Sequence, residues 1–265
     1  MSNWGRLSVV ASGLILAACS SSPTGRNQLI LFSDSDMSSL GAQSFEQMKQ
    51  EQKVSTDKAV NAYVQCVSDA VTAQVPPQPD FDEWEVVVFD SDQVNAFALP
   101  GGKIGVYTGL LNVAIDQDQL ATVIGHEIAH VLADHSNERL SQAQLANVGM
   151  QVTDIALASS GAAQYRSAAM AALGLGVQYG VILPYGRTQE SEADILGLDL
   201  MAQAGFNPNA SVALWMNMAA ASNGAQPPEL LSTHPSHDTR INDLEEQIPR
   251  VPKAKAARPN CKAPS

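Results

Sequence analysis

The chain has 265 residues, 45% of them apolar and 16% charged, with a formal net charge of −12. That apolar share supplies a core for one domain with extensions and excludes a disordered chain, which has too little to bury. Charge excludes nucleic acid as a partner: of 15 basic residues, Arg6 and the tail's Arg250, Lys253, Lys255, Arg258 and Lys262 leave nine in the body against 27 acidic ones, a field that repels phosphate.

In chain order, residues 1–18 carry one cation, Arg6, and an apolar run from Leu7 to Ala18 too short to span a bilayer. They read as a signal peptide. The run ends Leu16-Ala17-Ala18-Cys19, which resembles the bacterial lipobox. It implies cleavage before Cys19, acylation of its thiol and tethering by lipid rather than by a spanning helix. Ser20 after the cysteine resembles outer-membrane sorting. With Cys19 set aside, Cys66 and Cys261 remain as an even pair in a compartment that permits disulfides, and they are expected to bond.

Residues 19–33 read as a lipid-anchored linker, with a spacer of Ser, Pro and Gly over 20–28. Polar helical stretches follow at 34–53 and 56–74, closed by Pro76, Pro77 and Pro79. Residues 84–89 are β-branched and read as a strand; 96–99, the turn Pro100-Gly101-Gly102, and 103–107 read as a hairpin. Asp116, with Gln119 three residues on, opens a helix whose apolar residues recur at Leu120, Ile124, Ile128 and Val131. From 145 to 183 the chain is rich in Ala and Gly and reads as close-packed helices. Its uncharged part, 167–186, nears spanning length, but Gly174, Gly176, Gln178, Gly180 and Pro184 argue against insertion. Helices are expected again at 189–204, 207–221 and 237–247, and 249–265 as a solvated basic tail. Residues 34–248 read as one domain.

His126-Glu127-Ile128-Ala129-His130 is an HExxH motif. On a helix its histidines stand one turn apart on one face, where both can ligate a single Zn²⁺. A catalytic zinc needs a third protein ligand and an open position for water. His135 is excluded, because nine residues at about 100° each turn it to the far side of a continuous helix. Glu190-Ser191-Glu192-Ala193-Asp194 supplies the better candidates: Glu190 and Asp194 share a face, whereas Glu192 turns away by about 200°. One carboxylate can bind zinc while the other supports a ligand histidine or the water, and spacing alone does not order them.

These motifs, with the run from Val94 through Pro100 to Gly102, resemble the gluzincin metallopeptidases related to HtpX and the CAAX prenyl proteases, in their soluble periplasmic lipoprotein branch. The likeness runs from about Trp84 to Leu244. It implies an α+β, mainly α-helical, zincin-like fold with a small antiparallel sheet beside the HExxH helix. It further implies one Zn²⁺ held by His126, His130 and Glu190, Glu127 as general base, and Asp194 in a supporting or proton-donating role. His234, followed by Pro235 and later Arg240, resembles a late-loop histidine that stabilises the oxyanion, occupies the open position at rest, or only binds a helix end.

The expected activity is hydrolysis of peptide bonds at the periplasmic face of the outer membrane of a Gram-negative cell. Expected partners are protein or peptide substrates, unfolded outer-membrane proteins among them, the membrane through lipidated Cys19, and outer-membrane assembly machinery. The lack of a spanning helix argues against a membrane-embedded substrate. The 96–99 strand offers an edge to an extended substrate, or is a plain structural hairpin. The rival reading is a lipoprotein chaperone or assembly factor for outer-membrane proteins, with its zinc site latent or plugged.

Overall fold

The computed structural model describes residues 19–159, 167, 170, 183–221 and 237–264. The signal peptide, His234 and most of the Ala- and Gly-rich stretch lie outside the described residues. The chain enters as a hairpin in which β1 (Cys19–Ser21) pairs antiparallel with β2 (Asn27–Leu29). Helix α1 (Asp34–Glu51) opens on a capping box: Ser33 accepts from the Asp36 backbone N–H, and the Asp36 carboxylate accepts from the Ser33 N–H. Helix α2 (Lys58–Thr72) is capped by Asp57 and turns Tyr63, Val64, Val67 and Val71 into the core at helical spacing.

Strands β3 (Glu85–Phe89), β4 (Ala96–Leu99) and β5 (Lys103–Tyr107) form a sheet in the order β3-β5-β4. The expected hairpin is β4-β5, but β5 pairs parallel with β3, so the sheet is mixed rather than antiparallel. The chain from β3 to β4 is long enough to cross over β5, which a tight turn is not. Strand alternation splits its faces: Val88, Ala96, Ala98, Ile104 and Val106 join the main core, while Phe89 and Tyr107 pack with Phe45 of α1. Gly101 and Gly102 turn the hairpin at φ 81 and 71, and a Cβ on Gly102 would lie 2.5 Å from the Phe81 ring.

Helix α3 (Gln117–Leu132) carries HExxH. Asp116 caps it by accepting from Asp118 and Gln119, while the Gln119 side chain reaches back to the Ile115 N–H. Leu120, Ala121, Ile124 and Ile128 are fully buried at the centre of the core, where truncating one isoleucine to alanine costs about 2–5 kcal/mol. Asp134 at φ 53 breaks the helix, and α4 (His135–Ala158) starts in a new direction. Helix α5 (Leu183–Gln203) stops before Gly205 at φ 86, and α6 (Ala210–Ala221) and α7 (His237–Gln247) follow. No helix among the described residues is long and apolar enough to cross a membrane.

Two expectations are corrected. Residues 19–33 are not a free spacer, because Arg26, Gln28 and Leu31 bond to α4 and its approach. The basic tail keeps its cationic side chains exposed, as expected of a solvated segment, but it is also docked on the body. Arg258 meets Asp118 at 2.5 Å, Gln117 bonds the Pro259 carbonyl at 2.9 Å, and Cys66 and Cys261 form the expected disulfide across a Cα separation of 5.7 Å.

Candidate metal centre and active site

The site is built where α3 crosses α5 with nothing between their backbones. A Cβ on Gly125 would stand 2.8 Å from the Gly197 carbonyl oxygen, and one on Gly197 would stand 2.7 Å from the His126 nitrogen. This approach lets the short acidic side chains of α5 reach the histidines of α3.

His126 Nε2 and His130 Nε2 lie 3.0 Å apart, His126 Nε2 lies 3.2 Å from Glu190 Oε2, and His130 Nε2 lies 3.4 Å from Glu190 Oε1. A tetrahedral ion about 2.0–2.1 Å from each ligand spaces them by about 3.4 Å, so these separations fit a zinc centre. His126 and Glu190 are buried. Burial and Arg240 work against protonation of His126, yet Asp194 and Glu190 outweigh them and raise it to about 9. Glu127, one residue after His126, is half-buried.

Asp194 Oδ1 lies 2.9 Å from His126 Nδ1. With the carboxylate as acceptor, the ring carries its proton on Nδ1 and turns the Nε2 lone pair into the cluster. Burial alone would raise the Asp194 carboxyl, but Arg240 and His126 hold it below its ordinary value. Arg240 of α7 donates from Nε to Oδ2 at 2.9 Å and from Nη2 to Oδ1 at 2.5 Å. Its guanidinium lies 3.5 Å from the centroid of the Trp215 ring, a cation–π contact. No local spacing in the sequence signals the grip of Arg240 on Asp194, 46 positions away.

His135 does not lie on the continuous helix that the sequence argument assumes: it opens α4, beyond the break at Asp134. There its Nδ1 lies 2.8 Å from His130 Nδ1 and its Nε2 lies 3.1 Å from Glu192 Oε2. Burial and the neighbouring His130 push His135 down to about 4. Burial disfavours the charged form of Glu192, but bonds from Ser22, Thr24, His135 and Arg26 prevail and hold it at about 2. Glu192 thus points away from the cluster, as its helical angle required, yet into protein rather than solvent. Strand β4 packs against α3 and forms one edge of its sheet among the described residues.

The chain matches the family model for peptidase family M48 over residues 55–248. It is 34% identical over 261 residues to the mitochondrial metalloendopeptidase OMA1 of Bos taurus, covering 91% of this chain and 47% of that protein. It is 37% identical over 170 residues to the Schizosaccharomyces pombe OMA1, covering 64% and 48%. A Yersinia pestis relative named beta-barrel assembly-enhancing protease is 32% identical over 159 residues, covering 58% and 32%. The chain therefore spans about half or less of the length of these relatives. The crystal structure of S. mikatae Ste24p shares the fold at a TM-score of 0.58 and 14% identity, covering 79% of this chain and 56% of that one. The chain belongs to peptidase family M48.

Proposed function

We propose that the chain is a zinc endopeptidase of the cell envelope, exported by residues 1–18, tethered through lipid on Cys19, and acting on periplasmic or outer-membrane proteins at the periplasmic face of the outer membrane. The observation that carries the chemistry is the set of separations of 3.0, 3.2 and 3.4 Å among His126, His130 and Glu190. The lipobox-like sequence supports the tether. The relative named for beta-barrel assembly supports the client class.

Zinc held by these three residues would polarise a substrate carbonyl and acidify a water. Glu127 takes the water's proton and delivers it to the leaving amine. Asp194, fixed by Arg240, keeps His126 oriented as a ligand. An extended substrate pairs with the β4 edge, whose backbone bonds tolerate varied sequence. His234 is assigned the role of gate or oxyanion donor on its sequence resemblance.

Glu127→Gln tests this reading. The variant should keep zinc content and fold and lose cleavage of an unfolded substrate such as casein by at least about 10²-fold. Cleavage at the wild-type rate by that variant would overturn the assignment.

A further inference from the structure

Behind His130 runs a line of buried polar groups that leads out to the first residues of the described chain. His135 and Glu192 are 1% and 4% exposed. A carboxylate only accepts hydrogen bonds, so His135 Nε2–H donates to Glu192 Oε2 at 3.1 Å. Neutral His135 then has a bare Nδ1, which accepts a hydrogen bond from His130 Nδ1–H at 2.8 Å. That leaves the His130 Nε2 lone pair facing Glu190 and His126, as metal ligation demands. A reversed relay would put a proton on Nε2 and close His130 to a cation.

Glu192 is in turn gripped by the β1–β2 hairpin. Thr24 Oγ1 donates to Oε1 at 2.5 Å and Arg26 Nε to Oε2 at 3.0 Å. The far side of the Arg26 guanidinium is fixed on Glu138 by two bonds of 2.7 Å. Glu138 also accepts from Gln189, the residue before Glu190, at 2.8 Å.

We propose that His135 and Glu192 are positioning residues that set the tautomer and orientation of His130, and that the hairpin carrying Thr24 and Arg26 braces them. The segment just after Cys19 is on this account a structural part of the metal centre, which loosens when the hairpin lifts away. The proposal rests on the zinc-site reading of His126, His130 and Glu190.

The test is zinc affinity of the full chain, measured by competition with a chromophoric chelator, beside urea unfolding of the zinc-free protein and the visible spectrum of the Co²⁺-loaded protein. His135→Leu should bind zinc about 10–100-fold more weakly and shift the Co²⁺ bands. His135→Gln, whose amide accepts and donates as the imidazole does, should recover most of the loss. Arg26→Gln should weaken zinc by about tenfold, the lower end of that range. Wild-type zinc affinity and Co²⁺ bands in His135→Leu, whatever its stability, would overturn the relay. Should His135→Leu fail to fold, unchanged zinc affinity in Arg26→Gln would overturn it instead. A wild-type chain that binds no zinc would refute the underlying site reading, a result distinct from either.

Discussion

Gly125 and Gly197 hold the two halves of the metal centre together: a Cβ added to Gly197 would stand 2.7 Å from the backbone nitrogen of His126. In an exposed helix, glycine to alanine stabilises by up to about 1 kcal/mol. Here the sign reverses. Gly197→Ala should cost about 1–3 kcal/mol through overpacking and should weaken zinc binding, because α5 must back away from α3. Urea unfolding with and without zinc measures both effects, and a stabilised variant with wild-type zinc affinity would contradict the crossing as described.

Arg240 and Asp194 form a buried ion pair with bonds of 2.5 and 2.9 Å. Removing only the arginine leaves a carboxylate without its counter-charge, so Arg240→Ala should destabilise by about 3–5 kcal/mol. Arg240→Ala combined with Asp194→Asn should be less damaging than the two single losses summed, a coupling that a double-mutant cycle reads directly.

The Cys66–Cys261 disulfide ties α2 to the docked tail over a sequence separation of 195 residues. Replacing both cysteines by serine should cost about 2–5 kcal/mol. The same loss should appear in the wild-type chain on reduction and be absent in the double-serine variant, as thermal melts with and without reductant would show.

Acid should release the hairpin. Glu192 has its folded value at about 2, below the ordinary 4.5, and Glu138 is also lowered, its bonds to Arg26 and Gln189 outweighing burial. Depressed carboxyls stabilise the folded state fully above their unfolded value and lose that contribution as pH falls through the folded one. Protection factors of the amides across residues 19–29, with the intrinsic pH dependence of exchange divided out, should therefore fall as pH drops from 4.5 towards 2. In Arg26→Gln the same amides should exchange faster already at neutral pH.

Local features of this site were legible in the sequence, and long-range ones were not. The pairing of His126 with His130, the shared face of Glu190 and Asp194, and the Asp116 cap all follow from helical spacing within a few residues. Arg240 on Asp194, Arg26 on Glu138 and Glu192 on His135 join residues 46, 112 and 57 positions apart, and no periodicity encodes such partners. His135 was set aside by rotating it around a continuous helix, an argument that fails once Asp134 enters the left-handed region. The hairpin at 19–29 was missed for a similar reason: its Ser, Pro and Gly composition reads as spacer, while its order comes from Arg26 and Gln28 bonding to distant elements. Gly125 and Gly197 are a readable signal of the crossing, because a glycine inside a helix costs about 1 kcal/mol and needs a packing reason.

The central claim is that His126, His130 and Glu190 together hold one zinc ion. Anomalous diffraction at the zinc edge, on crystals of the zinc-loaded chain, tests it most directly. The account predicts a single strong peak about 2.0–2.1 Å from both Nε2 atoms and a similar distance from the Glu190 carboxylate. A peak seated instead between His135 and Glu192, or no peak within reach of Glu190, would contradict it.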